Sequence, residues 1–286
     1  MGKVISITNL KGGVGKTILV YSIGCILAES GVPRKKGRNK SVKVLLIDMD
    51  MQENLTSNVG IVPVPGMLTT YDIFEKYVSS HAANADPNDI VIRSPIEELP
   101  NLDLLPGSMN LHRVDTMIAS EPARESILLN YMTEFKEFFD QYDYIFVDSN
   151  PSMSMINQNC YLASDEIILV AGTSNSSIDG IELFQALWGV IRRKLGIKPG
   201  GKGEIVGVII NNYDTRTAIS RDFIEHIDNN KEEIAALRYK TIIPANVRLA
   251  ESELDKPINL YDKTAKSYLA LLELIKEMSE RGVFNG

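Results

Sequence analysis

Val4-Ile5-Ser6-Ile7-Thr8, followed by Lys11-Gly12-Gly13-Val14-Gly15-Lys16-Thr17 and an apolar-periodic run to Glu29, is the stretch on which the fold turns. The first segment is a short continuous apolar run, the reading of a buried strand; the glycines mark a loop, and the period after them marks a helix. In that strand–loop–helix order, backbone N–H groups of the loop point inward at phosphate oxygens, and the helix N-terminus adds a favourable dipole. Lys16 is placed to pair the β/γ-phosphates and Thr17 to ligate Mg²⁺. The ordinary pattern G-x-x-x-x-G-K-[ST] puts a glycine six residues before that lysine; here Leu10 stands there and Lys11 follows. The plain alternative is a tight turn in which two lysines happen to fall. The strand before it and the helix after it argue against that.

The run K-G-G-V-G-K-T resembles the deviant phosphate loop of the ParA/MinD superfamily of dimerising ATPases. The resemblance implies that Lys11, Gly12, Gly13, Val14, Gly15, Lys16, Thr17 and Ile18 hold ATP or ADP. It also implies that Lys11 reaches across a homodimer to the partner's nucleotide.

Further apolar runs recur at Val42 to Asp48, Leu102 to Leu105, Tyr144 to Asp148, Ile167 to Ala171, Ile205 to Ile210 and Thr241 to Ile243. Helical periods cover Thr17 to Glu29, Arg124 to Phe139, Ile178 to Leu195, Ser220 to Asn229 and Thr264 to Met278. Continuous apolar strands alternating with helices predict an α/β fold, a doubly wound, mainly parallel sheet flanked by helices. The Pro-rich segment Pro63 to Pro100 is ambiguous, but no long linker divides the chain, so residues 1–286 are expected to form one domain.

Ligands of such sheets sit beyond the carboxyl ends of the strands. Asp48, Asp50 and Asp148 fall at such ends, as the phosphate loop does. Asp48 and Asp50 are two residues apart, so in extended geometry both face one side. In ParA-like proteins this segment reads D-x-D-P-Q-x-N, which implies that Asp50 positions the attacking water while Asp48 supports Mg²⁺ indirectly. Met51 stands where the proline is usual, so the turn is less rigidly preset. Tyr144-Ile145-Phe146-Val147-Asp148 resembles the Walker B strand, which implies that Asp148 holds Mg²⁺ through water. The continuation Ser149-Asn150-Pro151-Ser152 departs from the family's D-[TC]-P-P. The plain alternatives for these acids are turn formers and strand caps.

Asn211-Asn212-Tyr213-Asp214-Thr215-Arg216-Thr217 and the segment from Ile243-Pro244-Ala245-Asn246 to Ser252 resemble two ParA segments, M-[YF]-D-x-R-T and I-P-R-N-V-R-L-[SA]-E. The likeness runs from Met1 to about Met278 and is nearest to ParA (Soj-like) partitioning proteins without an N-terminal helix-turn-helix. It implies adenine contacts at Asn212, Pro244, Ala245 and Asn246, and nonspecific double-stranded DNA contacts at Arg216 and Arg248. Arginine suits phosphate contacts because its fixed charge and forked donors give sequence-independent affinity through counterion release. Surface salt bridges are the alternative for both. The basic loop from Arg34 to Lys43 could add a DNA or partner contact or simply be solvated.

Composition narrows the classes. The 286 residues are 44% hydrophobic and 23% charged, with mean hydropathy of −0.05, an ordinary globular balance. Net charge −7 and pI near 5.2 mean that DNA contact must come from local patches. No apolar run approaches the roughly 18 residues that span a bilayer, and a strand begins at once, so a cytoplasmic, nucleoid-associated address without membrane contact is expected. Cys25 and Cys160 lack neighbouring ligands, against an iron–sulfur carrier. The C-terminal helix is mixed in charge, against MinD-like membrane cycling. A noncatalytic module that uses nucleotide only to gate dimerisation would keep Lys16 but not need Asp50. The sequence thus predicts an Mg²⁺-dependent partitioning ATPase; that a ParB-type centromere-binding adaptor stimulates it is implied by the resemblance alone.

Overall fold

The computed structural model describes residues 2–34, 37–79, 84–214, 216–246, 249, 251 and 256–285. Eight strands form one sheet: β1 (Lys3–Thr8), β2 (Val44–Met49), β3 (Ile92–Arg93), β4 (Leu102–Leu105), β5 (Tyr144–Ser149), β6 (Glu166–Ala171), β7 (Glu204–Tyr213) and β8 (Arg238–Pro244). Their spatial order is β3-β4-β2-β5-β1-β6-β7-β8. Every pairing is parallel except that of β3 with β4. A parallel sheet needs cover on both faces, which is why its central strands are apolar at successive positions.

Alternation along each strand divides those apolar residues between two cores. Leu45, Ile47, Ile145, Val147, Ile167 and Leu169 face one layer, where Phe74, Tyr131, Phe139, Tyr161, Phe184 and Trp188 are packed. Ile5, Ile7, Leu46, Phe146, Ile168 and Val170 face the other, against the helices Lys16–Ser30 and Lys266–Glu280. The C-terminal helix buries Tyr268, Leu271, Leu274, Ile275 and Met278, and Val283 and Phe284 follow it into the core. Lys3 Nζ fastens this end by donating to the carbonyls of Gly282 and Val283. No helix among the described residues is long and apolar enough to cross a membrane.

Two stretches singled out in the sequence take a different or sharper form. The period from Arg124 to Phe139 is divided into a 3₁₀ turn Arg124–Ser126, a helix Ile127–Glu134 and a short helix Lys136–Phe139. The break falls at Phe135 (φ −102°, ψ 37°), and it lets both Phe135 and Phe139 reach the Tyr131 ring, at 5.0 and 5.9 Å between centroids. The ambiguous Pro63 to Pro100 segment contains the helix Thr70–Val78, started by a capping box between Thr69 and Asp72, and the edge strand β3.

Candidate nucleotide site

Three features converge at the carboxyl ends of β1, β2 and β5. Register places Asp48 beside Asp148, and Asp148 beside Ile7 of β1. The glycine loop leaves β1 and closes onto the helix Lys16–Ser30, with Gly13 (φ 74°) and Gly15 (φ 89°) in the left-handed region that glycine enters without strain. A cavity of about 610 Å³ opens in front of it. Gly12, Gly13, Gly15, Lys16, Thr17 and Ile18 form one wall. Asp50 comes from the turn after β2, Asn54 and Asn58 from the short helix Asn54–Asn58 that follows it, Pro151 from the loop after β5, Asn212 from the end of β7, and Asn246 and Leu249 from beyond β8.

The acids are held very differently. Asp48 is fully buried and its oxygens are occupied: Oδ1 accepts from Asp50 N at 3.1 Å, and Oδ2 from Thr56 N at 2.9 Å and Thr56 Oγ1 at 2.7 Å. Burial pushes its carboxyl up to about 6 against those hydrogen bonds. It does not line the cavity; it ties the end of β2 to the helix Asn54–Asn58. Asp50 does line it, with Oδ1 accepting from Gln52 N at 3.0 Å. Asp148 is fully buried, and neither carboxylate oxygen has a protein hydrogen-bond partner of normal geometry. Burial, then the nearby Asp48, raises its pKa, while the Thr17 hydroxyl and Lys16 act the other way. Lys16 is 7% exposed; burial lowers its pKa, opposed by Asp148 and Asp50.

These residues fit a magnesium nucleotide. Loop amides and Lys16 face an open cavity, and a buried carboxylate with unsatisfied oxygens lies behind them. A charge desolvated in this way needs a cation or a proton. Among the described residues no group of three or more His, Cys, Asp or Glu forms a metal cage. Mg²⁺ needs none, since it keeps several waters and is held by one or two carboxylates plus phosphates.

The other expected residues are dispersed. Val14 is buried beneath the loop. Lys11 is exposed and does not line the cavity of its own chain. Of the four expected adenine contacts, Asn212 and Asn246 line the cavity; Pro244 ends β8, and Ala245 is exposed, its N–H donating to Tyr213 O at 2.9 Å. Arg216 has an 86% exposed side chain, forked onto Asp214 through Nε (2.9 Å) and Nη2 (2.8 Å). That fork holds the Asp214 carboxyl down at about 2. Arg248 lies outside the described residues, as do Lys35 and Lys36 of the basic loop. Elsewhere in that loop Lys40 pairs with Asp143 and Lys43 with Asp103.

Three asparagines that had no role in the sequence reading brace the site. Asn211, fully buried, donates from Nδ2 to Val14 O at 2.9 Å, and a Cβ on Gly15 would lie 2.2 Å from that nitrogen. Asn9 accepts from Lys11 N at 2.8 Å. Asn157 donates to Asn150 O and Ser152 O, shaping the loop that carries Pro151, and to Tyr161 Oη, which bonds Thr8 at the end of β1. For Asn9 and Asn211 the sequence shows only a carboxamide beside or within an apolar strand, which says that partners are needed but not which ones.

The AAA domain family model matches residues 2–198. Sporulation initiation inhibitor protein Soj of Bacillus subtilis is 31% identical over 283 residues, covering 99% of this chain and 100% of Soj. Chromosome partitioning protein ParA of Caulobacter vibrioides is 29% identical over 280 residues, covering 98% and 94%. Among solved structures, an ATP complex of Cyanothece McdA superposes with a TM-score of 0.76 at 23% identity over 100% of this chain and 98% of that one. An AMPPNP-bound putative plasmid partition protein of Borrelia burgdorferi gives 0.71 at 21% over 98% and 99%. The two structures share the fold, and the sequence match to Soj carries the family: the chain belongs to the ParA/Soj family of P-loop partitioning ATPases.

Proposed function

We propose that this protein is an ATP-driven DNA-partitioning switch: with ATP it closes a homodimer that binds DNA without sequence preference, and slow hydrolysis, stimulated by a ParB-type adaptor, returns it to the open state. The observation that carries the reading is that the glycine loop and Asp50 line one cavity while the fully buried Asp148 lies behind the loop, within electrostatic reach of Lys16. The loop amides and Lys16 would hold the phosphates, Thr17 and, through water, Asp148 the Mg²⁺, and Asn212 and Asn246 would face the base. The bound magnesium nucleotide supplies the phosphoryl group and most of the charge to be balanced. Asp50, at the cavity wall with one oxygen anchored by Gln52 N, orients the attacking water. Asp48 acts through the backbone, by fixing where Asp50 stands. Lys11, exposed and not part of its own chain's cavity wall, serves the partner's. DNA contact rests on Arg216 and Arg248, with the ParB-type step resting on family membership.

The test is binding to unrelated duplex DNA with ATP, ADP or no nucleotide across a salt series, using Asp50→Ala to hold the ATP state. ATP-selective, salt-sensitive binding that Arg248→Glu removes while sparing ATPase supports the reading. Absence of binding in every state would move the protein to the positioning of other cargo. The C-terminal helix already speaks against a membrane-cycling role, because its apolar face is spent on the core.

A further inference from the structure

Lys11 has a long, exposed side chain, yet its backbone is fixed. Its N–H donates to Asn9 Oδ1 at 2.8 Å, and Asn9, fully buried, donates from Nδ2 to Val170 O at 2.7 Å and to Ser177 O at 3.1 Å. The orientation of this carboxamide is forced: the main-chain N–H requires the oxygen and the two carbonyls require the NH₂. Val170 belongs to β6 and Ser177 to the first turn of the helix Asn175–Lys194. Gly180 of that helix stands against the same group, where a Cβ would lie 2.4 Å from Asn9 Oδ1 and 3.3 Å from Lys11 N. The start of the phosphate loop is therefore gauged against a helix that contributes nothing to the cavity wall, whereas the middle of the loop is gauged by Asn211 through Val14 O. The two ends can be released separately.

We infer that Asn9, seated against the bare face of Gly180, is a positioning residue that fixes where Lys11 leaves the fold and so completes the partner subunit's site. The inference rests on the reading of Lys11 given under the proposed function. Anchoring the backbone fixes the point and direction at which the side chain leaves the fold, so docking has to order only the side chain's own torsions. Nucleotide binding by the chain's own loop does not depend on this anchor.

The test compares Lys11→Ala, Asn9→Ala, Gly180→Ala and Asn211→Ala in the full chain. Three quantities are read: affinity for a fluorescent ADP analogue, ATP-dependent dimerisation by sedimentation velocity, and kcat with KM. Gly180→Ala is the decisive variant, because alanine is the better helix former and the helix itself is not weakened. Asn9→Ala and Gly180→Ala are expected to keep ADP affinity within about twofold while losing the ATP dimer and about a hundredfold in kcat, the scale of an ångström's misplacement. That is the phenotype expected of Lys11→Ala. Asn211→Ala should show the reverse order, with ADP affinity falling first. If Lys11→Ala fails to dimerise while Gly180→Ala and Asn9→Ala dimerise and turn over normally, the positioning role is wrong and the reading of Lys11 stands. If Lys11→Ala itself dimerises and hydrolyses normally, the reading of Lys11 falls, and this inference with it.

Discussion

Asp103, near the amino end of β4, and Asp148, near the carboxyl end of β5, are both withdrawn from water, with exposures of 1% and 0%. Asp103 is surrounded by donors: Arg93 Nη1 at 2.7 Å, Tyr142 Oη at 2.8 Å, Ser94 N at 3.0 Å and the Lys43 ammonium at 3.1 Å. The cations are themselves seated on rings, Arg93 over Phe138 and Lys43 over Tyr142. Asp148 has no hydrogen-bond partner of normal geometry. A buried carboxylate is tolerated when its partners are built in, and one left without them is a place kept for something that comes and goes. The amino end of this sheet is finished and the carboxyl end is left incomplete, which is where a parallel sheet puts its ligand.

Substitution should separate the two ends. The largest effect is expected from Lys16→Ala, which removes the only cation on the cavity wall among the described residues; affinity for ATP should fall by about a thousandfold, or ~4 kcal/mol, in equilibrium binding. The fold should survive, since Lys16 is desolvated there at a cost that its loss relieves. Next comes Asp103→Asn, which strands Arg93 and Lys43 and should destabilise by about 3 kcal/mol in urea unfolding. Asp148→Asn should do the opposite, raising stability of the nucleotide-free protein by about 1 kcal/mol while abolishing hydrolysis. Equal destabilisation by the two asparagines would erase the distinction.

The same pair predicts opposite responses to pH. Burial pushes the Asp103 carboxyl up, but hydrogen bonds from Arg93, Tyr142 and Ser94 outweigh it, so its pKa ends below the ordinary value. Its contribution is then fully present above about pH 4 and is lost as pH falls through the lower folded-state value. Asp148 is raised, so the folded state binds its proton more tightly than the unfolded chain does, and stability declines as pH rises from about 4 through the raised value. Unfolding of the nucleotide-free protein, followed from pH 3 to pH 8, should show both limbs. Asp103→Asn should shrink the acid limb and Asp148→Asn the neutral one.

What the sequence made legible follows the same division. The phosphate loop was readable because its chemistry is local: glycines, two lysines and a threonine within seven residues, between a strand and a helix. The positions of Asp48, Asp50 and Asp148 were readable because strand ends announce themselves as the close of an apolar run. The hydrogen bonds that Asp48 accepts from Thr56 were not, since Thr56 and the turn toward it are fixed by tertiary packing. Asn9 and Asn211 left no such trace. Their partners are 161 and 197 residues away, and a carboxamide carries no local signal of the carbonyl it will meet. The helix break at Phe135 was hidden for a related reason: the helical period continues through it, and only the Tyr131 ring explains the interruption. The helix Thr70–Val78 was legible in principle, because Thr69 and Asp72 spell a capping box.

The smallest effect belongs to the exposed rim, where the comparison of finished and unfinished charge takes a third form. Arg216 is satisfied by Asp214, but at the surface, where an ion pair is worth little and the guanidinium can leave it for a phosphate. In the proposed DNA contact the acid would stay behind, beside the incoming phosphate, and weaken the interaction of Arg216 with it. Asp214→Asn should therefore tighten binding of the ATP state to unrelated duplex DNA by about threefold at low salt, and the gain should fade as screening shortens the reach of the removed charge. Arg216→Ala should weaken it by a similar factor and reduce the salt slope by about one. If Asp214→Asn binds as wild type does at every salt concentration, Arg216 does not meet DNA, and its fork onto Asp214 is a finished surface pair like those at the amino end of the sheet.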